Sequence, residues 1–246
     1  MQHTWPERLS VVRHGESAGN VARVNAESAR LERIELDSRD VDVPLSDLGK
    51  RQSEALGRAL AQLPEDERPT VLWVSPYLRA QQTAEIALAA AGLDIPVVVD
   101  ERLREREFGV LDGLTRTGIE AQWPQESARR KAIGKFYHRP PGGESWSDAL
   151  LRVRSAVQDL RHDAAGERVL VVAHQVVVLL LRYVLERLTE QEIMAIDKQG
   201  DVANASFTTY RYDGDRLRLE TYNDVRHLEE QQQPVTAEPE GPHGPR

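Results

Sequence analysis

The chain has 246 residues, no cysteine and a formal net charge of −8, which excludes disulfides, thiol nucleophiles and cysteine metal sites and disfavours general binding to nucleic acid or membrane surfaces. Hydrophobic residues make up 40% of it, enough to bury the core of one large α/β domain or two small ones. No signal-peptide pattern accompanies Trp5-Pro6-Glu7-Arg8, and the most apolar stretch, 169–181, is too short to span a bilayer, so a soluble cytoplasmic protein is expected.

The first apolar run, Leu9-Ser10-Val11-Val12, leads directly into Arg13-His14-Gly15-Glu16. This tetrad suits attack on a phosphate. The arginine neutralises phosphate oxygens, the glycine lets backbone N–H groups come close, and the imidazole supplies a nucleophilic nitrogen. Ser46 caps a predicted helix through Leu63, with Leu48, Leu56, Ala59 and Leu60 as its apolar positions and Pro64 as its end. The second apolar run is Val71-Leu72-Trp73-Val74, followed by Ser75-Pro76-Tyr77-Leu78-Arg79 and a helix over 77–91 closed by Gly92. Val97-Val98-Val99 reads as a short strand.

Residues 118–138 read as an irregular helical insert carrying Trp123-Pro124, ended by Gly142-Gly143-Glu144-Ser145. Ser145 opens a helix to about His162. The third apolar run, Val169-Leu170-Val171-Val172-Ala173, ends in His174, and 175–187 follow as a helix apolar on most of its circumference. A terminal hairpin is predicted from 206–212 and 216–222 around Asp213-Gly214-Asp215. From Glu229 to Arg246 the polar, Pro-rich composition predicts a disordered tail.

Continuous Val/Leu runs followed by helical patterns predict strands buried on both faces of a mainly parallel sheet. Ligands of such sheets collect beyond the carboxyl ends of the strands. If the three strands are neighbours, Arg13, His14, Arg79 and His174 point into one crevice. Two arginines and two histidines suit a dianionic phosphate better than a carbonyl or a sugar.

At this point the chain resembles the histidine phosphatase superfamily, which contains the cofactor-dependent phosphoglycerate mutases and many phosphomonoesterases. The resemblance is carried by Arg13-His14-Gly15-Glu16-Ser17 with Asn20, by Leu45-Ser46-Asp47-Leu48-Gly49 with Gln52, and by Ser75-Pro76 with Arg79 and Thr83-Ala84. Leu103-Arg104-Glu105 with Gly109 and Gly113, Gly142-Gly143-Glu144-Ser145, His174 and Asn204-Ala205-Ser206 follow in the family's order. It implies one domain over 1–228: an α/β three-layer sandwich with a mixed, mostly parallel sheet, helices on both faces and a small helical cap at about 115–143.

The resemblance also implies roles. His14 is the nucleophile, Arg13, Arg79 and His174 hold the phosphoryl group, and Glu105 is the proton donor, with Glu107 as the fallback within the charged run 100–107. A carboxyl beside a phosphate dianion holds its proton more tightly, which suits an acid. Asn20, Ser17, Gln175 and Arg106 are candidate substrate contacts, although Ser17 is equally suited to cap the following helix. Glu16 reads as structural. Gln175 departs from the glycine that usually follows this histidine in the family.

Arg129, Arg130, Lys131, Lys135, His138 and Arg139 either attract an anionic substrate to the entrance or form a solvated helix face. The remaining histidines lack ligand spacing, so neither a metal nor another cofactor is expected. The expected partner is a small phosphorylated substrate, with no nucleic acid and no membrane, and a homodimer is compatible with the sequence. A phosphomonoesterase acting through phosphohistidine is favoured over a mutase, because Phe108 and Thr115-Arg116 replace the mutases' usual tyrosine and asparagine-lysine pair. A non-catalytic phospho-ligand-binding module is the third reading, and it needs neither His14 nor Glu105.

Overall fold

The structure, a computed structural model, describes residues 4–237. Its strands are β1 (Arg8–Arg13), β2 (Val71–Val74), β3 (Val97–Val99), β4 (Arg168–Ala173), β5 (Phe207–Tyr212) and β6 (Leu217–Asp224). They form one sheet in the order β3-β2-β4-β1-β5-β6. The first four of that order are parallel, and β5 runs antiparallel to both its neighbours, β1 and β6. The sheet is therefore mixed and mostly parallel, as expected.

Side-chain alternation explains why the strand sequences are apolar throughout. Val12, Leu72, Val74, Leu170 and Val172 pack on one face against Leu56 and Leu60 of α2 (Asp47–Gln62) and Ala80, Ala84 and Ala87 of α3 (Leu78–Ala91). Leu9, Val11, Trp73, Val169 and Val171 pack on the other against α6 (Trp146–Asp163) and α7 (Gln175–Leu185). The register aligns Arg13 with Ala173 and Val172 with Val74, so β1, β2 and β4 end at one level. β3 is an edge strand, which leaves its three valines exposed.

The remaining helices are α1 (Ala18–Ser28), α4 (Arg116–Gln122), α5 (Pro124–Ile133), α8 (Glu190–Gln199) and α9 (Arg226–Glu230). Three expectations need correction. The insert is two helices rather than one, because Pro124 lacks an N–H and restarts the chain at the first position of α5. Helix also stops at Ile133, before His138, where Gly134 takes a left-handed φ of 84°. The third correction concerns the tail. Residues 229–237 are ordered: Gln231 bonds to Ala55 O, Gln233 N–H to Leu228 O, and Thr236 to Asn204. The rest of that predicted disordered segment, 238–246, lies outside the described residues.

Helix α8 was legible but unread. Thr189 caps it, and its capping box with Glu192 precedes Ile193 and Met194. Among the described residues no helix is long and apolar enough to cross a membrane.

Candidate active site

His14, Ser75 and His174 are the first residues beyond β1, β2 and β4. Arg79 reaches His14 from the first turn of α3, and Glu105, in the segment after β3, lies against Val176 N–H, two residues past His174. All five site residues, Arg13, His14, Arg79, Glu105 and His174, are buried. His14 and His174 meet edge to face with ring centroids 5.2 Å apart. Arg79 Nε lies 3.2 Å from His14 Nε2.

The His14 ring is fixed by its own loop. Nδ1 lies 2.6 Å from Gly15 O, and a carbonyl can only accept, so Nδ1 carries the proton. Nε2 then holds the lone pair, and it is the atom that accepts from Arg79. The acceptor that sequence could not identify is thus the next residue's carbonyl.

The loop itself is clamped from outside the pocket. Ser46 Oγ donates to Glu16 Oε1 at 2.6 Å and accepts from Gly49 N–H. Glu16 N–H donates to Gln52 Oε1. A Cβ on Gly49 would sit 1.9 Å from Glu16 O, and one on Gly15 would sit 2.5 Å from Gly49 O. Only two glycines allow this approach. The motif Leu45-Ser46-Asp47-Leu48-Gly49 with Gln52 therefore supports the tetrad rather than touching phosphate, and Glu16 is structural as read.

Arg13 Nη1 donates to Val202 O and, at 3.1 Å, to Gln175 Oε1, while Gln175 Nε2 donates to Asp201 at 2.7 Å. Gln175 thus orients the arginine. His174 Nε2 shares a 2.7 Å hydrogen bond with Ser75 Oγ, and the ring packs edge to face on Tyr77. Burial, then the charges of Asp40 and Glu107, push the Tyr77 phenol well above its ordinary range, so it stays a neutral donor to Glu107 Oε1.

Glu105 Oε1 accepts from Arg106 N–H at 2.7 Å, and Oε2 lies 3.5 Å from Val176 N in the first turn of α7. That helix end is polarised towards anions. Glu107 is exposed and bonded to Tyr77, which separates it from the buried Glu105. Ser17 and Asn20 form a reciprocal capping box on α1 and also line a cleft of about 240 Å³ with Arg23, Asp40 and Arg79. Ser17 therefore does cap its helix.

A separate recess of about 310 Å³ lies between the cap and α8; none of the five site residues lines it, and Arg106, the neighbour of Glu105, does. Phe108, Ile119, Phe136 and Met194 give it apolar walls, and its charged lining is mixed: Arg106, Arg130 and Lys131 stand with Glu120, Glu190 and Asp201, while Lys135 is paired with Asp197. Of the expected basic cluster, Arg129 and Arg139 do not line it; Arg139 is paired with Asp148 and Arg129 with Glu126. Arg106 stacks on Phe108 at 4.4 Å, and burial lowers its guanidinium to about 10, still protonated at neutral pH. Among the described residues no group of three or more His, Cys, Asp or Glu is placed to hold a metal ion.

Sequence reasoning missed Asp40. Its Oδ1 lies 3.1 Å from Arg79 Nη1 and its Oδ2 lies 3.4 Å from Nη2, so a carboxylate occupies the fork assigned to phosphate. No local pattern signals it, because Asp40 sits in a short turn of helix, Asp40–Asp42, far from Arg79 in sequence. Asp40→Asn should tighten competitive inhibition by inorganic phosphate about 3- to 10-fold, since one negative charge beside the incoming dianion is removed at a half-exposed position. An unchanged or weaker inhibition constant would show that Asp40 does not compete for Arg79.

Two histidines and two arginines gathered at the carboxyl ends of a mostly parallel sheet are the side chains of a phosphoryl-handling α/β protein. The profile of the histidine phosphatase superfamily, branch 1, matches residues 9–225, and the chain belongs to that superfamily. It is 35% identical over 191 residues to the 2,3-bisphosphoglycerate-dependent phosphoglycerate mutase of Methylobacterium radiotolerans, covering 76% of this chain and 83% of that protein. The fold is similar to Bacillus stearothermophilus YhfR, with a TM-score of 0.72, 28% identity, and 90% and 98% of the two chains covered. It is also similar to the mycobacterial glucosyl-3-phosphoglycerate phosphatase, with a TM-score of 0.68, 29% identity, and 89% and 99% covered.

Proposed function

We propose that the protein is a metal-independent phosphomonoesterase that acts through a phosphohistidine on small phosphorylated metabolites. The observation that carries this reading is the His14 tautomer, with the proton on Nδ1 against Gly15 O and the Nε2 lone pair beside Arg79. A site that only bound phosphate would gain more from a protonated imidazole.

The reaction has two steps. His14 Nε2 attacks phosphorus in line, the ester P–O bond breaks, and the leaving oxygen takes the proton from Glu105. Water then attacks phosphorus, gives its proton to the Glu105 carboxylate, and breaks the P–N bond. Phosphate leaves, and His14 and Glu105 regain their starting states. Arg13, Arg79 and His174 hold the phosphoryl oxygens throughout, and the guanidinium forks offset the charge that is redistributed during transfer.

The leaving group must face Glu105, and the recess bounded by the next residue, Arg106, and by Phe108 is the space assigned to it. A partly apolar organic group with polar substituents suits walls of mixed charge. The names of the curated relatives favour a mutase as the second reading. Against it, Phe108 offers Arg106 a ring face and no hydroxyl, where the mutases usually carry tyrosine.

The test is phosphate release, with excess chelator, from an aryl phosphate, sugar phosphates, phosphoglycerates and a phosphopeptide, run beside a phosphoglycerate mutase assay. Chelator-resistant hydrolysis that exceeds mutase turnover supports the phosphatase. Mutase turnover without net phosphate release overturns it.

A further inference from the structure

The polar residues behind the nucleophile form a chain with a single direction. Glu16 N–H donates to Gln52 Oε1 at 2.8 Å, and Gln52 Nε2 donates to Thr236 Oγ1 at 3.1 Å. Thr236 Oγ1 donates to Asn204 Oδ1 at 3.1 Å, and Asn204 Nδ2 donates to His14 O at 3.0 Å. The chain begins and ends on the same short stretch, His14-Gly15-Glu16. It closes a ring around the loop whose Gly15 carbonyl sets the His14 tautomer.

We infer that Thr236 is a positioning residue for the nucleophile: it closes this ring from the C-terminal strap and holds the His14 loop in its reactive geometry. The inference rests on the phosphohistidine reading of the site. Gln52 and Asn204 are fully buried, so their amides cannot turn to water for partners. Each donor polarises the next acceptor, so the links reinforce one another. Thr236 is the one hydroxyl in the ring, and it both accepts from Gln52 and donates to Asn204.

Without that hydroxyl, Gln52 Nε2 keeps Pro234 O at 2.9 Å, but Asn204 Oδ1 loses the donor that fixes its orientation. An Asn204 flip would then set its oxygen against His14 O. The strap that delivers Thr236 is itself anchored. Gln231 Nε2 bonds to Ala55 O, Arg58 to Gln231, and Asn204 N–H to Thr236 O at 2.8 Å. These three contacts bring a residue of the C-terminal strap to the back of the loop after β1.

The test compares Thr236→Val, Thr236→Ser and the wild-type protein. Thr236→Val should lower kcat about 10-fold with KM changed less than about 2-fold, and Thr236→Ser should restore kcat to within about 2-fold, because only the hydroxyl is at issue. Imidazole ¹⁵N spectra supply a readout independent of turnover: Thr236→Val should mix the His14 tautomers, and Thr236→Ser should not. A wild-type protein that hydrolyses no ester overturns the functional reading and leaves the spectra to judge Thr236. A Thr236→Val protein with a lower Tm but unchanged kcat and an unchanged His14 tautomer overturns the inference, since the strap would then only stabilise the fold.

Discussion

His14→Ala will lose at least about 10⁴-fold in kcat on every ester the wild-type protein hydrolyses, because the group that forms the covalent bond is gone. Arginines that remain can still bind phosphate, so direct binding of inorganic phosphate, read by calorimetry, should survive in the variant. The measurement is paired: turnover with excess chelator, and acid-labile, base-stable phosphate on the protein after quenching with labelled substrate. Wild-type protein should carry the label and the variant should not. A variant that keeps more than about a tenth of wild-type turnover would sink the mechanism, because no other side chain takes the position of His14 Nε2. Folding is a separate question. His14 N–H bonds to Ala173 O, and Asn204 Nδ2 to His14 O. Both contacts use only the backbone of residue 14, so the alanine variant keeps them.

The parts of this site that could be read in the sequence are those that lie next to strand ends. Arg13, His14, Ser75 and His174 follow apolar runs, and a parallel sheet brings such positions to one edge whatever the loops do. Arg79 follows because α3 starts three residues later. The motif around Ser46 and Gly49 was visible as a pattern, yet its job was not. A glycine required by a Cβ contact of 1.9 Å with Glu16 O looks the same in sequence as one required by a ligand.

Asp40 and Thr236 were illegible for another reason. Each meets its partner through hydrogen bonds across long sequence separations, and such bonds leave no periodicity. Composition misled at the tail. Glutamines, proline and threonine read as disorder because they bury little apolar surface, but here they dock by bonding to carbonyls and amides of α2 and the Asn204 loop. In the cap, Trp123-Pro124 was seen as an irregularity, and the structure makes it a helix boundary.

Glu105→Gln should separate the two chemical steps. Glutamine keeps the size, and its one carbonyl oxygen keeps the shorter hydrogen bond from Arg106 N–H; its amide nitrogen cannot accept the longer one from Val176 N–H, and the side chain neither gives nor takes a proton. A general acid or base contributes about 10²- to 10⁴-fold. An alkyl phosphate needs the acid to expel its alcohol, so its hydrolysis should fall by that whole range. A nitrophenyl phosphate leaves as a stable anion, so phosphorylation of His14 should slow little. Its dephosphorylation still needs a base for water, and the phosphohistidine should accumulate. The expected record is a burst of about one nitrophenolate per active site followed by a steady state slowed about 10²-fold or more. Glu107→Gln is the control. Glu107 is exposed and accepts from the Tyr77 hydroxyl, so its loss should leave both phases near wild type. Equal slowing of both esters without a burst would mean that Glu105 shapes the first turn of α7 rather than moving a proton. A burst appearing in Glu107→Gln instead would move the acid two residues along the chain.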